Sequence, residues 1–310
     1  MKTGRLGGRY CLIVGGTSGI GLAAAHRFLQ EGATVVITGQ TPASTHEALE
    51  VLRDLGPVWS LTADASDPAS VDMAMHAAIP LLNGRIDVLF HVAGQSGRRF
   101  GDGPLHECTL PGWDAVLVAN ARGTFLTNQA AVRQMLGQPR DDNGLRGSVL
   151  NVGSVIDEAP SPDFFGTIAY AASKGAVRAL TRAAAARYAR DGIRFNLLIP
   201  GLIDTPMSAR AIGDPLIRTY LASKQPLTGQ PGSATECAEA ALFLCDPTSR
   251  FITGAELVID GGWSVSEGQV PQATPAEAAL PAPAEVGKVD RPALPCGNDE
   301  IAALEALPKP

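Results

Sequence analysis

Tyr170 and Lys174 stand four residues apart in an alanine-rich run, Ala169 to Arg190, that predicts a helix. Residues at i and i+4 share a helix face, so the spacing sets a phenol beside an ammonium group. A free phenol titrates near pH ~10 and is a poor base at neutrality. A cation about 4 Å away, at an effective dielectric near 20, favours phenolate by roughly 4 kcal/mol, or about three pKa units. Such a pair can take or give a proton near neutral pH. The same two residues also fit a half-buried tyrosine beside a snorkelling lysine, and only their company separates the readings. Ser154 follows the strand-like run Gly147 to Val152, sixteen residues before Tyr170 and within a loop's reach of it. Asn120 interrupts a helical pattern in Val118-Ala119-Asn120-Ala121-Arg122-Gly123. Asparagine and glycine are poor helix formers, so the position points either to tolerance or to another purpose.

A second set of residues has the pattern of a phosphate cradle. Tyr10 to Val14 reads as a buried strand entering Gly15-Gly16-Thr17-Ser18-Gly19-Ile20-Gly21, and a helical pattern continues from Leu22. Glycines let the backbone turn sharply and approach a pyrophosphate, while the helix start offers free N–H groups and a positive dipole end. The next strand, Thr34 to Thr38, runs into Gly39-Gln40-Thr41. An acidic residue there would exclude a ribose 2′-phosphate and a basic one would welcome it. Gln40 does neither, which leaves NAD and NADP both open. Asp64-Ala65 follows the strand Val58 to Leu61; the Asp suits an adenine amino group or a solvated turn equally. Ala93-Gly94 follows the strand Ile86 to Val92 and leaves room at a strand's carboxyl edge. His91, within that strand, reads as a hydrogen-bonded core histidine. Arg98 and Arg99 lie in the glycine-rich loop 95–104, where they would contact an acidic substrate, solvent or another subunit.

The elements that must position these groups alternate strand and helix, which predicts a doubly wound parallel sheet. A helix is predicted over Ser44 to Leu55, another opened by Asp67 as N-cap with Pro68 following, and one long helix over Trp113 to Leu136. Arg194 to Ile199 and Glu256 to Ile259 read as strands, with a helix over Ala234 to Leu244 between them. Residues 206–232 are weakly patterned and read as a mobile lid with a short helix. The chain has 310 residues, 45% of them apolar, enough for one large α/β domain over residues 1–265. Residues 266–310 are rich in proline and alanine and read as a partly extended or disordered tail, with a short helix possible over Ile301 to Leu307. A net charge of -6 with mixed signs gives no case for nucleic acid or an anionic membrane. The five cysteines form no CxxC pair and read as reduced thiols, which suits a cytoplasmic protein. No apolar run reaches the ~20 residues of a membrane span, no leader pattern is visible, and no ligand spacing suggests a metal.

The ordered set of glycine turn, Ala93-Gly94, Asn120, Ser154, Tyr170 with Lys174, and Pro200-Gly201 with Thr205 resembles the short-chain dehydrogenase/reductase family over roughly residues 5–265. The resemblance implies a Rossmann fold and an NAD(P)-dependent oxidoreductase that interconverts a secondary alcohol and a ketone by hydride transfer. It implies that Gly15, Ser18, Gly19, Ile20 and Gly21 line the pyrophosphate and that Asp64 and Ala65 hold adenine. Ala93 and Gly94 would back the ribose, and Pro200, Gly201, Ile203 and Thr205 would hold the carboxamide. Tyr170 would be the general acid/base, Lys174 its pKa-lowering partner and a ribose ligand. Ser154 would bond the reacting oxygen, and Asn120 would hold a relay water. The small-molecule pocket would be lined by Gln95, Ser96, Val155, Ile156, Phe164, Phe165, Leu202 and Met207, apolar enough for a cyclic or aromatic alcohol or ketone.

Three departures from the family pattern stand out. Val14 replaces the usual Thr, His91-Val92 replaces Asn-Asn, and the interval from Ser154 to Tyr170 is longer than usual. The added length, around Ser161 to Gly166, is expected to form one wall of the pocket. The family's packing of its long helices implies a homotetramer first and a dimer second, with a tail able to reach a neighbouring subunit. The alternatives are a cofactor-binding sensor without turnover, an epimerase using bound NAD, and a non-redox dehalogenase or lyase on the same fold. The last of these loses the glycine turn or the catalytic lysine, and both are present here.

Overall fold

A computed structural model describes residues 4–269. The proposed tail from residue 270 onward, including Ile301 to Leu307, lies outside the described residues. The first strand and helix, β1 (Tyr10–Val14) and α1 (Gly19–Gln30), are followed by β2 (Thr34–Gly39), α2 (Pro42–Leu52), β3 (Val58–Thr62), α3 (Pro68–Leu81) and β4 (Val88–His91). Next come α4 (Leu110–Val116), α5 (Gly123–Gly137), β5 (Gly147–Val152), α6 (Pro162–Phe165), α7 (Ile168–Tyr188) and β6 (Ile193–Pro200). The remainder is β7 (Ile203–Asp204), α8 (Ala209–Gly213), α9 (Pro215–Lys224), β8 (Gly232–Ser233), α10 (Ala234–Cys245) and β9 (Glu256–Ile259). Seven strands form one parallel sheet in the order β3-β2-β1-β4-β5-β6-β9. The order reverses between β1 and β4, the topological switch point where a doubly wound sheet opens a crevice at its carboxyl edge.

Parallel strands covered on both faces are apolar along their whole length. β4, β5 and β6 are buried at every residue. One face packs on α1 and α10 through Phe28, Phe90, Leu150 and Leu242, the other on α3 and α5 through Leu89, Met135, Val149 and Phe195. Asp67 caps α3 as expected, its Oδ2 accepting the Ser70 N–H at 2.8 Å with Pro68 next in line.

The helix expected over Trp113 to Leu136 differs in two ways. It begins at Leu110, where Thr109 accepts the Gly112 N–H and Pro111 sits in the first turn. It is also broken into α4 and α5 by a π-helical turn over Leu117–Arg122, a wide turn that often marks functional positions. The lid segment carries two α-helices, α8 and α9, rather than one. Residues up to Gln269 hold to α9: Lys224 Nζ donates to the Ser266 carbonyl, and the Gln269 N–H donates to Ser223 Oγ.

Candidate active site

The π-turn holds Asn120, which is 1% exposed. Its Oδ1 accepts the Gln95 N–H at 2.8 Å, and its Nδ2 donates to the Gln95 carbonyl at 3.1 Å and to Ser173 Oγ at 2.9 Å. Ser173 in turn donates to the Tyr170 carbonyl at 2.7 Å. The residue that breaks the helix thus ties the end of β4 to α7. Gly94 completes the junction: a Cβ there would lie 3.0 Å from Asn120 Oδ1 and 3.6 Å from Lys174 Nζ.

Lys174 is buried, and its Nζ donates to the Val152 carbonyl at 2.9 Å, which fixes it against the end of β5. Burial lowers its pKa to about 8, with Asp157 pulling the other way. Its Nζ lies 5.7 Å from the Tyr170 ring centroid. The sequence predicts a phenol acidified by its lysine neighbour, whereas burial acts on that phenol in the opposite sense. The ammonium sits over the ring face, and burial raises the Tyr170 phenol above its ordinary value. A hydrogen bond with the Ser154 side chain offsets part of that rise, and Asp157 adds to it. Ser154 is itself 7% exposed and accepts the Ile156 N–H at 3.3 Å.

Two clamps that sequence reading missed hold these groups in place. Asp102, 5% exposed, accepts the Ala169 N–H through Oδ1 at 2.9 Å and the Tyr170 N–H through Oδ2 at 3.0 Å. It therefore satisfies first-turn amides of α7 and places a negative charge at that helix's positive end. Arg178, one turn beyond Lys174, grips Asp157 with two nitrogens, at 2.8 and 3.2 Å. That pair pins the segment after Ser154 to α7. A third tie is buried deeper. Asn128 and Asn151 exchange amide hydrogen bonds at 2.9 Å each, and Asn151 Nδ2 also donates to Thr181 Oγ1 at 3.0 Å. It joins α5, which continues the turn holding Asn120, to β5, which leads into Ser154, and to α7, which carries Tyr170. These partners lie 20 or more residues apart, so no local pattern marks them.

The glycine turn is shaped for close approach. Gly15 has φ +83°, and a Cβ there would lie 2.7 Å from the Ala93 N. The N–H groups of Gly15 and Gly16 both donate to the Thr38 carbonyl, at 3.1 and 3.0 Å. A Cβ on Gly21 would overlap the Gly15 carbonyl oxygen. Ser18 stands at the N-cap of α1 in an extended conformation and makes no side-chain cap bond. Gly19 faces Thr205, whose Cγ2 would be 3.0 Å from a Cβ at that glycine. Ile203 is buried, Gly201 bonds the Ile259 carbonyl at 2.9 Å, and Gln225 Oε1 accepts the Leu202 N–H at 2.6 Å. Gln225, also missed in the sequence, fixes the Pro200–Leu202 bend. Ala65 packs near Gly123, and Asp64 Oδ1 is held by the N–H and hydroxyl of Ser66. Gln40 is exposed at the end of β2. A backbone cradle that a single methyl would fill, at the start of a helix with uncapped amides, fits a dinucleotide pyrophosphate.

Of the residues expected to line the pocket, Val155, Ile156, Phe164, Phe165 and Leu202 share one apolar cluster with Tyr170, Tyr220 and Trp263. Gln95 stands beside Asn120, and its Nε2 donates to the Ala115 carbonyl at 3.1 Å. Ser96 is half-buried, whereas Met207 is 52% exposed and is not gathered into the cluster. His91 is a core histidine, with Nδ1 2.8 Å from Thr127 Oγ1. Burial, then the Lys174 charge, hold its pKa down at about 3.

The family model described as enoyl-(acyl carrier protein) reductase matches residues 14–264. The chain is 34% identical over 262 residues to 2,5-dichloro-2,5-cyclohexadiene-1,4-diol dehydrogenase from Sphingobium indicum, a match covering 84% of this chain and 98% of the relative. It is 34% identical over 258 residues to cis-4-hydroxycyclohexanecarboxylate dehydrogenase from Sinomonas cyclohexanicum, covering 83% and 96% of the two chains. A solved short-chain type dehydrogenase/reductase from Mycobacterium ulcerans superposes with a TM-score of 0.77 at 27% identity, covering 85% of this chain and 92% of that one. With the parallel sheet, the glycine cradle and the converging Asn120, Ser154, Tyr170 and Lys174, these matches make the chain an oxidoreductase of the short-chain dehydrogenase/reductase family.

Proposed function

We propose that the protein is an NAD(P)-dependent dehydrogenase that interconverts a secondary alcohol and its ketone, with Tyr170 as general acid/base. The observation that carries this reading is the meeting of Asn120 and Lys174 at Gly94, with Asn120 linked through Ser173 to the Tyr170 carbonyl, Lys174 fixed on the Val152 carbonyl, and the Ser154 hydroxyl bonded to the Tyr170 phenol. When bound, the nicotinamide supplies the redox chemistry. The chain's residues supply orientation and a proton. The Ser154 hydroxyl donates to the substrate oxygen and aligns it with the Tyr170 phenol, which gives the proton in reduction and takes it in oxidation. Lys174 spends one N–H on Val152 and keeps two donors for the ribose and the proton path. Asn120 has its side chain committed to Gln95 and Ser173, and its carbonyl accepts the Thr124 hydroxyl at 2.7 Å. The glycine turn would hold the pyrophosphate, Asp64 and Ala65 the adenine, and Ile203 and Thr205 the carboxamide. The aromatic cluster at Phe164 and Phe165 favours a ring-bearing substrate, and both named relatives act on ring alcohols. The reading extends to a cytoplasmic homotetramer, with a dimer second, built on α5 and α7 and tested by sedimentation.

Fluorescence titration with NADH and NADPH, on the wild type and on Gln40→Arg, tests the cofactor assignment. Tight binding of one form fixes the cofactor, and Gln40→Arg should shift preference toward NADPH. Tyr170→Phe should keep that binding while lowering turnover by about 10²- to 10⁴-fold. Binding of neither form would remove the dehydrogenase reading. Unchanged turnover in Tyr170→Phe would remove Tyr170 from its role.

A further inference from the structure

The interval from Ser154 to Tyr170 carries Phe164 and Phe165, two half-buried rings packed on the cluster that holds Tyr170. Its regular structure is one short 3-10 turn over Val155–Asp157 and the four-residue α6. The stretch from Ala159 to Phe164 is instead tied to segments distant in sequence. Trp263, after β9, donates its indole N–H to the Ala159 carbonyl at 2.9 Å. Ser161, 3% exposed, donates its hydroxyl to the Tyr220 hydroxyl of α9 at 2.9 Å. Arg98, after β4, donates to the Phe164 carbonyl at 2.6 Å. The ring centroid of Phe164 lies 5.0 Å from that of Tyr220, and the Phe165 centroid 5.4 Å from Trp263. Tyr220 and Trp263 are almost fully buried, so they back the two phenylalanines. Tyr220 is held in turn. Gly268, with φ +78°, brings the chain so close that a Cβ there would lie 2.8 Å from Tyr220 Cε2 and 2.9 Å from Lys224 Cδ. Lys224 Nζ donates to the Ser266 carbonyl, and the Gln269 N–H donates to Ser223 Oγ at 2.6 Å. Residues 266–269 thus form a strap along the Tyr220 to Lys224 stretch of α9.

A buried hydroxyl deprived of its partner costs more than the bond gains. The Ser161–Tyr220 bond therefore fixes one relative position of the wall and the lid helix. A close-packed ring in turn takes its place from what it leans on. We propose that Tyr220 is a positioning residue for substrate choice: its bond to Ser161 and its packing on Phe164, held by the strap at Gly268, set the room that the wall leaves beside Tyr170. None of these groups belongs to the dinucleotide cradle or to the proton-transfer set. Residues beyond the last strand of the sheet thereby act on specificity without touching the substrate. The inference rests on the dehydrogenase reading for its effect on turnover, but the state of the wall is readable in the protein alone.

The probes are cyclohexanol and 2-propanol, with their ketones for the reverse direction, on the wild type, Tyr220→Phe, Ser161→Ala, the double variant and Gly268→Ala. For the cyclohexyl pair kcat/KM is expected to fall about ten-fold in each single variant, through KM more than kcat. The double variant should lose no more than Tyr220→Phe alone, because the two hydroxyls act as one bond. Both the 2-propanol constant and dinucleotide affinity should stay within about two-fold, since neither depends on the wall. Trp263 reports the wall without turnover. With Trp59→Phe and Trp113→Phe in place it is the single tryptophan of the chain. Acrylamide should then quench it at least about two-fold more strongly in Tyr220→Phe and Gly268→Ala, as a locally opened wall requires. Equal losses on both alcohols, or an unchanged cyclohexyl constant in Tyr220→Phe and Ser161→Ala, would overturn the role of Tyr220. An unchanged constant in Gly268→Ala would overturn that of the strap. If neither pair is turned over, the quenching decides, and equal quenching in the wild type and both variants overturns the proposal. Failure to bind either dinucleotide removes the dehydrogenase reading and leaves the quenching result standing.

Discussion

The carboxyl edge of the sheet is built differently on its two sides. Around β1, β2 and β4 the surface is backbone: Gly15 lies against Ala93, Gly21 against the Gly15 carbonyl, and Gly19 against Thr205. Around β5, β6 and the lid it is side chains. Phe164 meets Tyr220 at 5.0 Å between ring centroids, Phe165 meets Trp263 at 5.4 Å, and Tyr220 meets Trp263 edge-on at 6.0 Å. A backbone surface suits a ligand that never changes, because its shape is set by conformations and approaches that no side chain tolerates. A side-chain surface can be recut one residue at a time while the frame stays put. On the function proposed above, the first side would hold what every turnover shares and the second would decide what is turned over.

The strongest attempt to break that division is Gly21→Ala. The added methyl overlaps the Gly15 carbonyl oxygen, so nicotinamide dinucleotide affinity is expected to fall by about 100-fold or more, roughly 3 kcal/mol. Fluorescence titration reads it, and wild-type affinity would show that the cradle is not made of backbone. Asp102→Ala probes the seam between the sides. Two bonds to a charged acceptor are lost from the start of α7, each worth about 1.5–3 kcal/mol. A small displacement of Tyr170 can cost on the order of 10²-fold in rate. A fall in kcat at constant cofactor affinity is expected, with Asp102→Asn intermediate. A variant that melts lower but keeps its kcat would make Asp102 a brace for stability alone.

Phe164→Ala and Phe165→Ala act on the side-chain surface. Each should change kcat/KM for ring substrates by about ten-fold, the scale of pocket packing, with dinucleotide binding unmoved. No change from either would remove both rings from the substrate wall. The smallest effect concerns His91, on the strand where the two sides meet. Its folded pKa is about 3 against ~6.5 unfolded. Between those values the unfolded chain binds a proton that the folded chain does not, so stability falls as pH drops through that window, by up to about 1.4 kcal/mol per pH unit. His91→Asn should flatten the decline between about pH 6.5 and 5 in urea denaturation. An equally steep decline in the variant would assign it to other groups.

The sheet and the glycine cradle were legible in the sequence because their causes are local. Short apolar runs such as Cys11 to Val14 and Val149 to Val152 fit buried parallel strands, and Asp67-Pro68 marks a helix start by chemistry within three residues. Tyr170 and Lys174 were legible as neighbours on α7 but not as a pair with a given distance or pKa. Burial and the Val152 carbonyl decide those, and both come from the folded surroundings. The start of α4 is written in Thr109 and Pro111, whose capping chemistry precedes the apolar pattern that begins at Trp113. Asp102, Arg178, Gln225 and the Asn128–Asn151 pair were not readable, since each acts on a partner that only the fold brings near.

The π-turn at Leu117–Arg122 also governs how this region can change over time. A regular helix advances about 100° per residue, so one residue accommodated in a wide turn sets the stretches before and after it out of phase. Here α4 packs on α7, while α5 packs mainly on α3 and reaches α7 through the Asn128–Asn151–Thr181 tie. Removing any single residue from the turn would restore a regular helix and rotate one stretch against the other, swinging either Asn120 or the Asn128 pair away from its partners. Amino-acid replacements can accumulate on this helix, but its length is frozen. A surface loop such as the one between α5 and β5 has the opposite tolerance, accepting insertions and deletions more readily than the turn that holds Asn120.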